Sequence, residues 1–167
     1  MLWMWVIHDQ EMLNLPAYNH ERLGDNDEHY TQSWVFEKLG ITFDLDVCAP
    51  KGGIPWIPAL KHYSLEDDAL VQPWFGTVWM NPPYSKPSPW VERFLAHGNG
   101  IALVPMTRGQ WFSKLWEAAD GIVIDLYNGK FERPDGSRKS ITFRTAFIAL
   151  GRDNVDALHR LEIGKVR

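Results

Sequence analysis

The 167-residue chain fits one soluble, intracellular domain, because its longest early apolar run, residues 1–7, is too short to span a membrane and lacks a signal-peptide cleavage site. The single cysteine, Cys48, excludes an internal disulfide and a multi-cysteine metal site. The net charge of -4 is segregated, because residues 1–80 carry 4 Lys and Arg against 12 Asp and Glu whereas residues 81–167 carry 13 against 9.

Helical and strand patterns alternate from residue 30 onward. Residues 1–25 form no clear element, so we expect an N-terminal arm followed by a single domain over residues 26–167. The predicted elements are a helix over 31–39, strands over 41–47 and 77–80, a helix over 88–98, a strand over 101–104, a helix opened by a Thr107–Gln110 capping box, strands over 122–126 and 140–150, and a short helix over 153–161. This alternation predicts an α/β, doubly wound, mainly parallel sheet with a C-terminal antiparallel hairpin.

Asn81, Pro82, Pro83 and Tyr84 directly follow the predicted strand over 77–80. Ligands of open α/β sheets bind at such strand ends. The Asn81 side-chain oxygen and the Pro82 carbonyl can accept hydrogen bonds from a planar NH2 group, and the Tyr84 ring can stack on the flat face of the same molecule. The tetrapeptide therefore predicts a catalytic site for attack by a weakly nucleophilic amine. A plain strand-ending turn is the structural alternative.

Carboxylates lie on the first predicted strand and recur farther along the chain. Asp44 and Asp46 lie two residues apart on that strand, so their side chains are expected on one face, where one of them would suit a cationic ligand. Capping of a turn is the alternative for either. Asp68 ends an acidic run that is also typical of a solvated turn.

Basic residues surround the turn signal at 134–137, and a basic hairpin of this kind can contact phosphates. They are Lys130, Arg133, Arg138, Lys139 and Arg144. A merely solvated hairpin is an equal alternative. A second basic set, Lys86, Arg108 and Lys114, flanks the strand-end tetrapeptide in sequence.

Four motifs occur in a recognisable order. They are Asp27-Glu28-His29-Tyr30-Thr31, Asp44-Leu45-Asp46-Val47-Cys48-Ala49-Pro50, Glu66-Asp67-Asp68-Ala69-Leu70 and Val78-Trp79-Met80-Asn81-Pro82-Pro83-Tyr84-Ser85. The series resembles the bacteriophage-type DNA N6-adenine methyltransferases over residues 26–150. The resemblance implies a Rossmann-like methyltransferase fold, S-adenosylmethionine as methyl donor without a metal, double-stranded DNA as partner, and the cytoplasm of a bacterial host as location.

The resemblance also implies roles for individual residues. Asn81, Pro82, Pro83 and Tyr84 match the catalytic motif, which would transfer the methyl group directly to the N6 amine of a flipped-out adenine. The residues that match cofactor-binding positions are Tyr30, Thr31, Asp46, Ala49 and Asp68, and Asp44 is a further candidate because it shares a strand face with Asp46. The DNA-contact candidates come from charge and position rather than from the resemblance, and they are Lys86, Arg108, Lys130, Arg138 and Lys139.

Some features depart from the family pattern. Gln32 and Val47 stand where many relatives have proline, and a Gly/Pro/Trp-containing loop over residues 51–63 replaces the helix and acidic strand end that usually hold the cofactor ribose. Two alternatives stay open, a methyltransferase that acts on adenine in RNA or glutamine in protein, and a non-catalytic nucleic-acid-binding domain. A Trp-rich carbohydrate-binding module is disfavoured by the α/β alternation.

Overall fold

The computed structural model describes residues 29–126, 130–132, 136–140 and 143–167. The expected N-terminal arm, residues 1–25, lies outside that part of the chain, as do Arg133 and the first two residues of the predicted turn, 134 and 135. Within it, no helix has the length and apolar character needed to cross a bilayer.

A six-stranded sheet forms the centre of the domain. Its strands, in chain order, are β1 (Phe43–Asp46), β2 (Ala59–His62), β3 (Val78–Met80), β4 (Gly100–Pro105), β5 (Gly121–Asp125) and β8 (Thr145–Leu150). In space the order is β2-β1-β3-β4-β8-β5, and the first four of these are mutually parallel. β8 runs antiparallel to both β4 and β5. The α/β class is confirmed, and the mostly parallel sheet is compatible with a Rossmann-like fold.

Helices cover both faces of this sheet. Helices α1 (Ser33–Leu39) and α4 (Arg152–Leu161) pack on one face, and α2 (Ser88–His97) and α3 (Gln110–Ala118) pack on the other. On the first face Leu39 and Leu161 are buried in the same apolar cluster as Trp79, and on the second Phe94 and Leu115 are buried. Each such side chain contributes about 1.5–3 kcal/mol by leaving water.

Two local predictions were wrong. The Thr107–Gln110 capping box does not form, because the Thr107 hydroxyl accepts a hydrogen bond from the Gly109 N–H at 3.1 Å and α3 begins only at Gln110 with Gly109 as its N-cap. The expected loop over 51–63 contains β2, a strand on the sheet edge that continues the parallel ladder of β1. Leu60, Lys61 and His62 are exposed, so the strand lacks the apolar pattern that predicts a strand.

The C-terminal hairpin is also arranged differently. Its predicted second arm, residues 140–150, is divided between two sheets. The short strands β6 (Lys130–Glu132) and β7 (Arg138–Ser140) pair with each other, whereas β8 enters the main sheet between β4 and β5. All six residues of β8 are buried, so this segment belongs to the core.

Candidate active site

The carboxyl ends of β1, β2 and β3 meet at one edge of the sheet. Asp46 at the end of β1 is paired in register with His62 on one side and with Trp79 on the other, and Asn81 follows one residue after the end of β3. The hairpin β6–β7 leaves from the same edge, because Asp125 at the end of β5 is paired with Thr145 at the start of β8. The topology therefore places the tetrapeptide, Asp46 and the basic hairpin at a common edge.

The Asn81 amide has its two ends in different environments. Its Nδ2 donates a hydrogen bond to the backbone carbonyl oxygen of His29 at 2.6 Å. Its Oδ1 is buried and has no hydrogen-bond partner among the described residues. Because a carbonyl can accept only from the NH2 end, the contact with His29 fixes which way the amide faces. A buried acceptor without a partner costs about 1–3 kcal/mol, so the unpaired Oδ1 calls for an explanation beyond the described contacts.

Aromatic rings surround Tyr84. The ring lies edge-on to those of His29, Phe131 and Phe143, with centroid distances of 5.6, 6.2 and 5.8 Å. Phe131 comes from β6, and Phe143 precedes β8. Tyr84 itself is half-buried. The aromatic member of the tetrapeptide is thus enclosed by the start of the described chain and by the hairpin region.

The two prolines give the tetrapeptide a fixed course. Pro82 is buried and Pro83 is half-buried. The Pro83 carbonyl accepts a hydrogen bond from the Lys86 N–H at 3.3 Å, which closes a turn after the motif. Since neither proline has an N–H and both have a restricted φ, the chain cannot continue the β3 ladder here and turns at the edge of the sheet.

Asp46 is a buried carboxyl that has no cationic partner among the described residues. Only 3% of the residue is exposed, and its Oδ1 accepts a hydrogen bond from the Cys48 N–H at 3.1 Å. Burial raises the pKa of Asp46 to about 7, although the Cys48 N–H opposes this rise. No ion pair to Asp46 occurs within the described ranges. Burial, and then the nearby Asp46 carboxylate, raises the pKa of the Cys48 thiol well above its usual value, which disfavours a thiolate nucleophile.

Asp44, the other acidic residue of β1, already has a partner. Its Oδ2 accepts a hydrogen bond from the Thr77 N–H at 2.7 Å. Gly76 has φ +60, and a Cβ at this position would lie 2.0 Å from the same carboxylate oxygen. The Asp44 carboxylate therefore caps the start of β3, which is the structural alternative raised for it by the sequence.

Tyr30 and Thr31 lie against a tryptophan that sequence analysis did not single out. The Trp56 Nε1 donates a hydrogen bond to the Thr31 carbonyl oxygen at 2.8 Å, and the rings of Tyr30 and Trp56 lie edge-on with centroids 6.4 Å apart. The Thr31 Oγ1 is buried, and nothing in the described part of the chain bonds to it. Trp56 gave no local signal, since it is one of nine tryptophans.

The segment between β1 and β2 approaches the ring of His62. Gly53 N–H donates to the Pro50 carbonyl oxygen at 2.9 Å, and Gly52 has φ +84 within this turn. A Cβ on Gly53 would lie 3.0 Å from two atoms of the His62 ring. The buried Ala49 donates its N–H to the Tyr63 carbonyl oxygen at 2.9 Å, which joins the ends of β1 and β2.

The three residues of the acidic run have different surroundings. The Glu66 carboxylate forms an ion pair with Lys51 at 2.9 Å, and the Asp67 carboxylate accepts hydrogen bonds from Ser64. Asp68 is exposed and has φ 50, so its backbone lies in the left-handed region after the 3-10 turn Leu65–Asp67. Across the described residues, no group of three or more His, Cys, Asp or Glu side chains is arranged to hold a metal ion.

The basic candidates lie in loops, in the hairpin strands and on helix α3. Lys86 and Arg108 are exposed in the segments that follow β3 and β4, whereas Lys114 on α3 forms an ion pair with Glu92 at 3.2 Å. Arg144 is exposed immediately before β8. Lys130, Arg138 and Lys139 belong to β6 and β7, but their side chains, like Arg133, lie outside the described part of the chain.

Comparisons with known proteins place the chain in a family. The family model for DNA N-6-adenine-methyltransferase (Dam) matches residues 20–149, a range that includes every candidate residue of the site. A DNA N-6-adenine-methyltransferase of Haemophilus phage HP1 (strain HP1c1) is 31% identical over 117 residues, which cover 63% of this chain and 65% of that protein. The match thus spans less than two thirds of the curated relative. The extent of the family match shows that the chain belongs to the DNA N-6-adenine-methyltransferase (Dam) family.

Proposed function

We propose that this protein transfers a methyl group from S-adenosylmethionine to the N6 amine of adenine in double-stranded DNA. The observation that carries the proposal is the Asn81 amide at the end of β3. Its NH2 is held by the His29 carbonyl, and its buried Oδ1 has no partner among the residues described. Membership of the Dam family supports adenine in DNA as the acceptor.

Asp46 at the end of β1 and the segment Tyr30–Thr31 fit S-adenosylmethionine as the methyl donor. S-adenosylmethionine, when bound, supplies a methyl group on a positively charged sulfur and also carries an ammonium group. A buried carboxyl with a raised pKa gains from a cationic neighbour, which favours Asp46 as the residue that binds this charge. Thr31 Oγ1 is a second buried polar atom without a partner among the described residues, and it would form a hydrogen bond with the cofactor. Tyr30 and Ala49 would line the same region.

We assign the charge contact to Asp46 rather than to Asp44. The Asp44 carboxylate is used by the Thr77 N–H, and its place is fixed by Gly76. Asp68 is exposed beyond the end of β2, where it would accept a hydrogen bond from the cofactor adenine.

His62 is our candidate for the ribose contact. In doubly wound sheets an acid after the second strand usually binds the ribose hydroxyls. In this chain His62 ends β2, in register with Asp46, and the Gly53 backbone lies against its ring. An imidazole can both donate and accept hydrogen bonds, so it can replace a carboxylate at a diol. His62→Ala should weaken binding of S-adenosylmethionine more than binding of an analogue with a modified ribose, so the ratio of the two affinities should fall. An unchanged ratio would exclude this contact.

The tetrapeptide would act on the acceptor amine. As the adenine N6 becomes positive, Asn81 Oδ1 and the Pro82 carbonyl would accept its two N–H groups, an interaction that is stronger in the transition state than in the ground state. Such a preorganised partner is worth about 3–4 kcal/mol of barrier. Tyr84 would stack on the adenine after the nucleotide leaves the duplex, at a cost of about a few kcal/mol. Tyr84→Phe should therefore be milder than Tyr84→Ala.

Phosphate contact is assigned to the basic residues at the same edge. Lys86 follows the tetrapeptide after β3, Arg108 follows the neighbouring strand β4, and Lys130, Arg138 and Lys139 belong to the hairpin. If the hairpin binds DNA, neutralising Arg138 and Lys139 together should weaken binding and reduce the slope of log affinity against log salt by about 2. An unchanged slope would move the contact to Lys86 and Arg108.

The test of the function uses labelled donor. The protein would be incubated with S-adenosylmethionine carrying a labelled methyl group and with unmethylated duplex DNA, RNA or protein in parallel. We expect N6-methyladenine in DNA, and loss of this product in Asn81→Ala while the variant still binds the donor. Label that enters only RNA or protein, or full activity in Asn81→Ala, would overturn the proposal. Binding of DNA without any binding of the donor would favour the non-catalytic alternative.

A further inference from the structure

His29 connects the tetrapeptide to the hairpin. Its backbone carbonyl accepts the hydrogen bond from Asn81 Nδ2 at 2.6 Å. Its ring lies edge-on to Tyr84 at 5.6 Å and at a tilt of 32° to Phe131 at 5.3 Å between centroids. Phe131 is 3% exposed and belongs to β6. One residue therefore contacts the amide, the aromatic ring of the motif and the hairpin.

We propose that His29 is a positioning residue that couples the placement of the β6–β7 hairpin to the orientation of the Asn81 amide. The inference rests on the proposed function, because it assumes that Asn81 Oδ1 acts on the acceptor amine. The His29 carbonyl selects the orientation of the amide, and the packing of the His29 ring against both Tyr84 and Phe131 fixes where that carbonyl lies.

A chain of contacts gives this coupling its physical basis. A hydrogen bond to a carbonyl weakens steeply when its length or angle changes, so a small shift of His29 would release the Asn81 amide to rotate. With Nδ2 no longer held, the amide could present its NH2 instead of Oδ1 to the acceptor amine, and two donors would then face each other. A displacement of about 1 Å in such a group costs on the order of 10²-fold in rate.

The hairpin is also where we place phosphate contacts. Contact of DNA with β6 and β7 would fix the position of the hairpin. Through Phe131 and His29 it would also fix the orientation of the Asn81 amide. The expected consequence is that loss of the His29 ring lowers kcat more than it weakens binding of DNA or of the donor. A ring that merely stabilises the fold would not produce that separation.

The experiment measures kcat, KM for duplex DNA and Kd for S-adenosylmethionine in four variants. They are His29→Ala, His29→Phe, Phe131→Ala and the double variant His29→Ala/Phe131→Ala. His159→Ala on the exposed side of α4 serves as the matched control, since it also removes a histidine ring but lies outside the site. Thermal unfolding of each variant reports whether it is folded.

We expect His29→Ala to lower kcat by about 10- to 100-fold with the donor Kd within about 2-fold of wild type. His29→Phe keeps a ring that can pack against both Tyr84 and Phe131 and should recover most of the lost kcat. Because His29 and Phe131 act through one path, the double variant should lose little more than the worse single variant.

Several outcomes would overturn the inference. They are an unchanged kcat in His29→Ala, a loss that appears only in KM or Kd, failure of His29→Phe to recover, or additive losses in the double variant. If His29→Ala does not fold, His29→Phe and Phe131→Ala still carry the test, since the first must keep kcat and the second must lose it. A wild-type protein that methylates no DNA would instead overturn the proposed function, which separates the two failures.

Discussion

The two ends of the sheet treat their polar side chains in opposite ways. Toward the amino end of β4, Asn154 is 2% exposed, and its Nδ2 donates to the Leu150 carbonyl at 2.7 Å and to Asn99 Oδ1 at 2.9 Å. Asn99 in turn donates to the Thr77 hydroxyl at 3.4 Å. At the carboxyl end, Asn81 Oδ1 and Thr31 Oγ1 are equally buried but have no partner within the described ranges. Satisfied groups stabilise a fold, whereas a buried group without a partner costs stability and calls for an explanation, which the proposed acceptor amine and cofactor would supply at this end.

The largest expected difference between the two ends of the sheet is the dependence of the free energy of unfolding on pH that Asp46 causes at the carboxyl end. The pKa of its carboxyl is raised to about 7 in the folded chain from 3.8, so between these values the folded state binds more protons than the unfolded state. Stability must therefore fall as the pH rises from about 4 to about 7, by up to about 4 kcal/mol. Asp46→Asn should remove this fall and be more stable than wild type at pH 8, yet fail to bind S-adenosylmethionine.

Urea unfolding of the ligand-free protein at several pH values checks this prediction. If the free energy of unfolding depended on pH in the same way in wild type and in Asp46→Asn, the carboxyl of Asp46 would not be buried as described. In wild type, the affinity for the cationic donor should rise as the pH increases through about 7, because the carboxylate form is the one that binds. Asp44→Asn is the control, and it should leave donor affinity unchanged because its carboxylate caps Thr77.

The next effect is on turnover rather than on folding. Asn81→Ala should lower kcat by about 10²- to 10³-fold, because it removes an acceptor aimed at developing charge. Its stability should hardly change, since the lost hydrogen bond to His29 is offset by removal of a buried acceptor without a partner. Single-turnover assays together with urea unfolding separate the two quantities. A large loss of stability with kcat retained would place Asn81 with the structural asparagines.

At the opposite end, Gly76→Ala should damage folding. The new Cβ would lie 2.0 Å from Asp44 Oδ2, and φ +60 is unfavourable for alanine, so we expect a loss of about 2–4 kcal/mol in the free energy of unfolding. Gly98→Ala is a matched control, because Gly98 has φ +77 but a Cβ there would meet nothing within 4 Å. Its loss should be limited to about 1 kcal/mol of backbone strain. Equal losses in the two variants would show that the Asp44 contact does not matter.

The features that the sequence could predict are those set by local signals, whereas those set by long-range contacts could not be predicted. Helix α2 (Ser88–His97) was predicted almost to the residue, because a serine, a first-turn proline and an apolar face are all local signals. β2 was missed because it is an exposed edge strand, and the division of the hairpin was missed because strand pairing is a long-range property. The contact of His29 with Asn81 could not be predicted at all. It joins residues 52 apart through a backbone carbonyl, a group that every residue has.

The smallest expected effect is the loss of stability in Asn154→Ala, at the amino end of β4. Asn154→Ala removes two donor contacts and leaves the Leu150 carbonyl and the Asn99 side-chain oxygen without their bonds, so the free energy of unfolding should fall by about 1–3 kcal/mol. Asn154 lies at the start of α4, far along the sheet from the tetrapeptide, so kcat of the folded protein at low temperature should stay within about 2-fold of wild type. The pair Asn81→Ala and Asn154→Ala then shows opposite patterns, with turnover lost in one and stability lost in the other. If both variants lost stability alone, the unpaired oxygen of Asn81 would be an ordinary packing defect and the division between the two ends would fail.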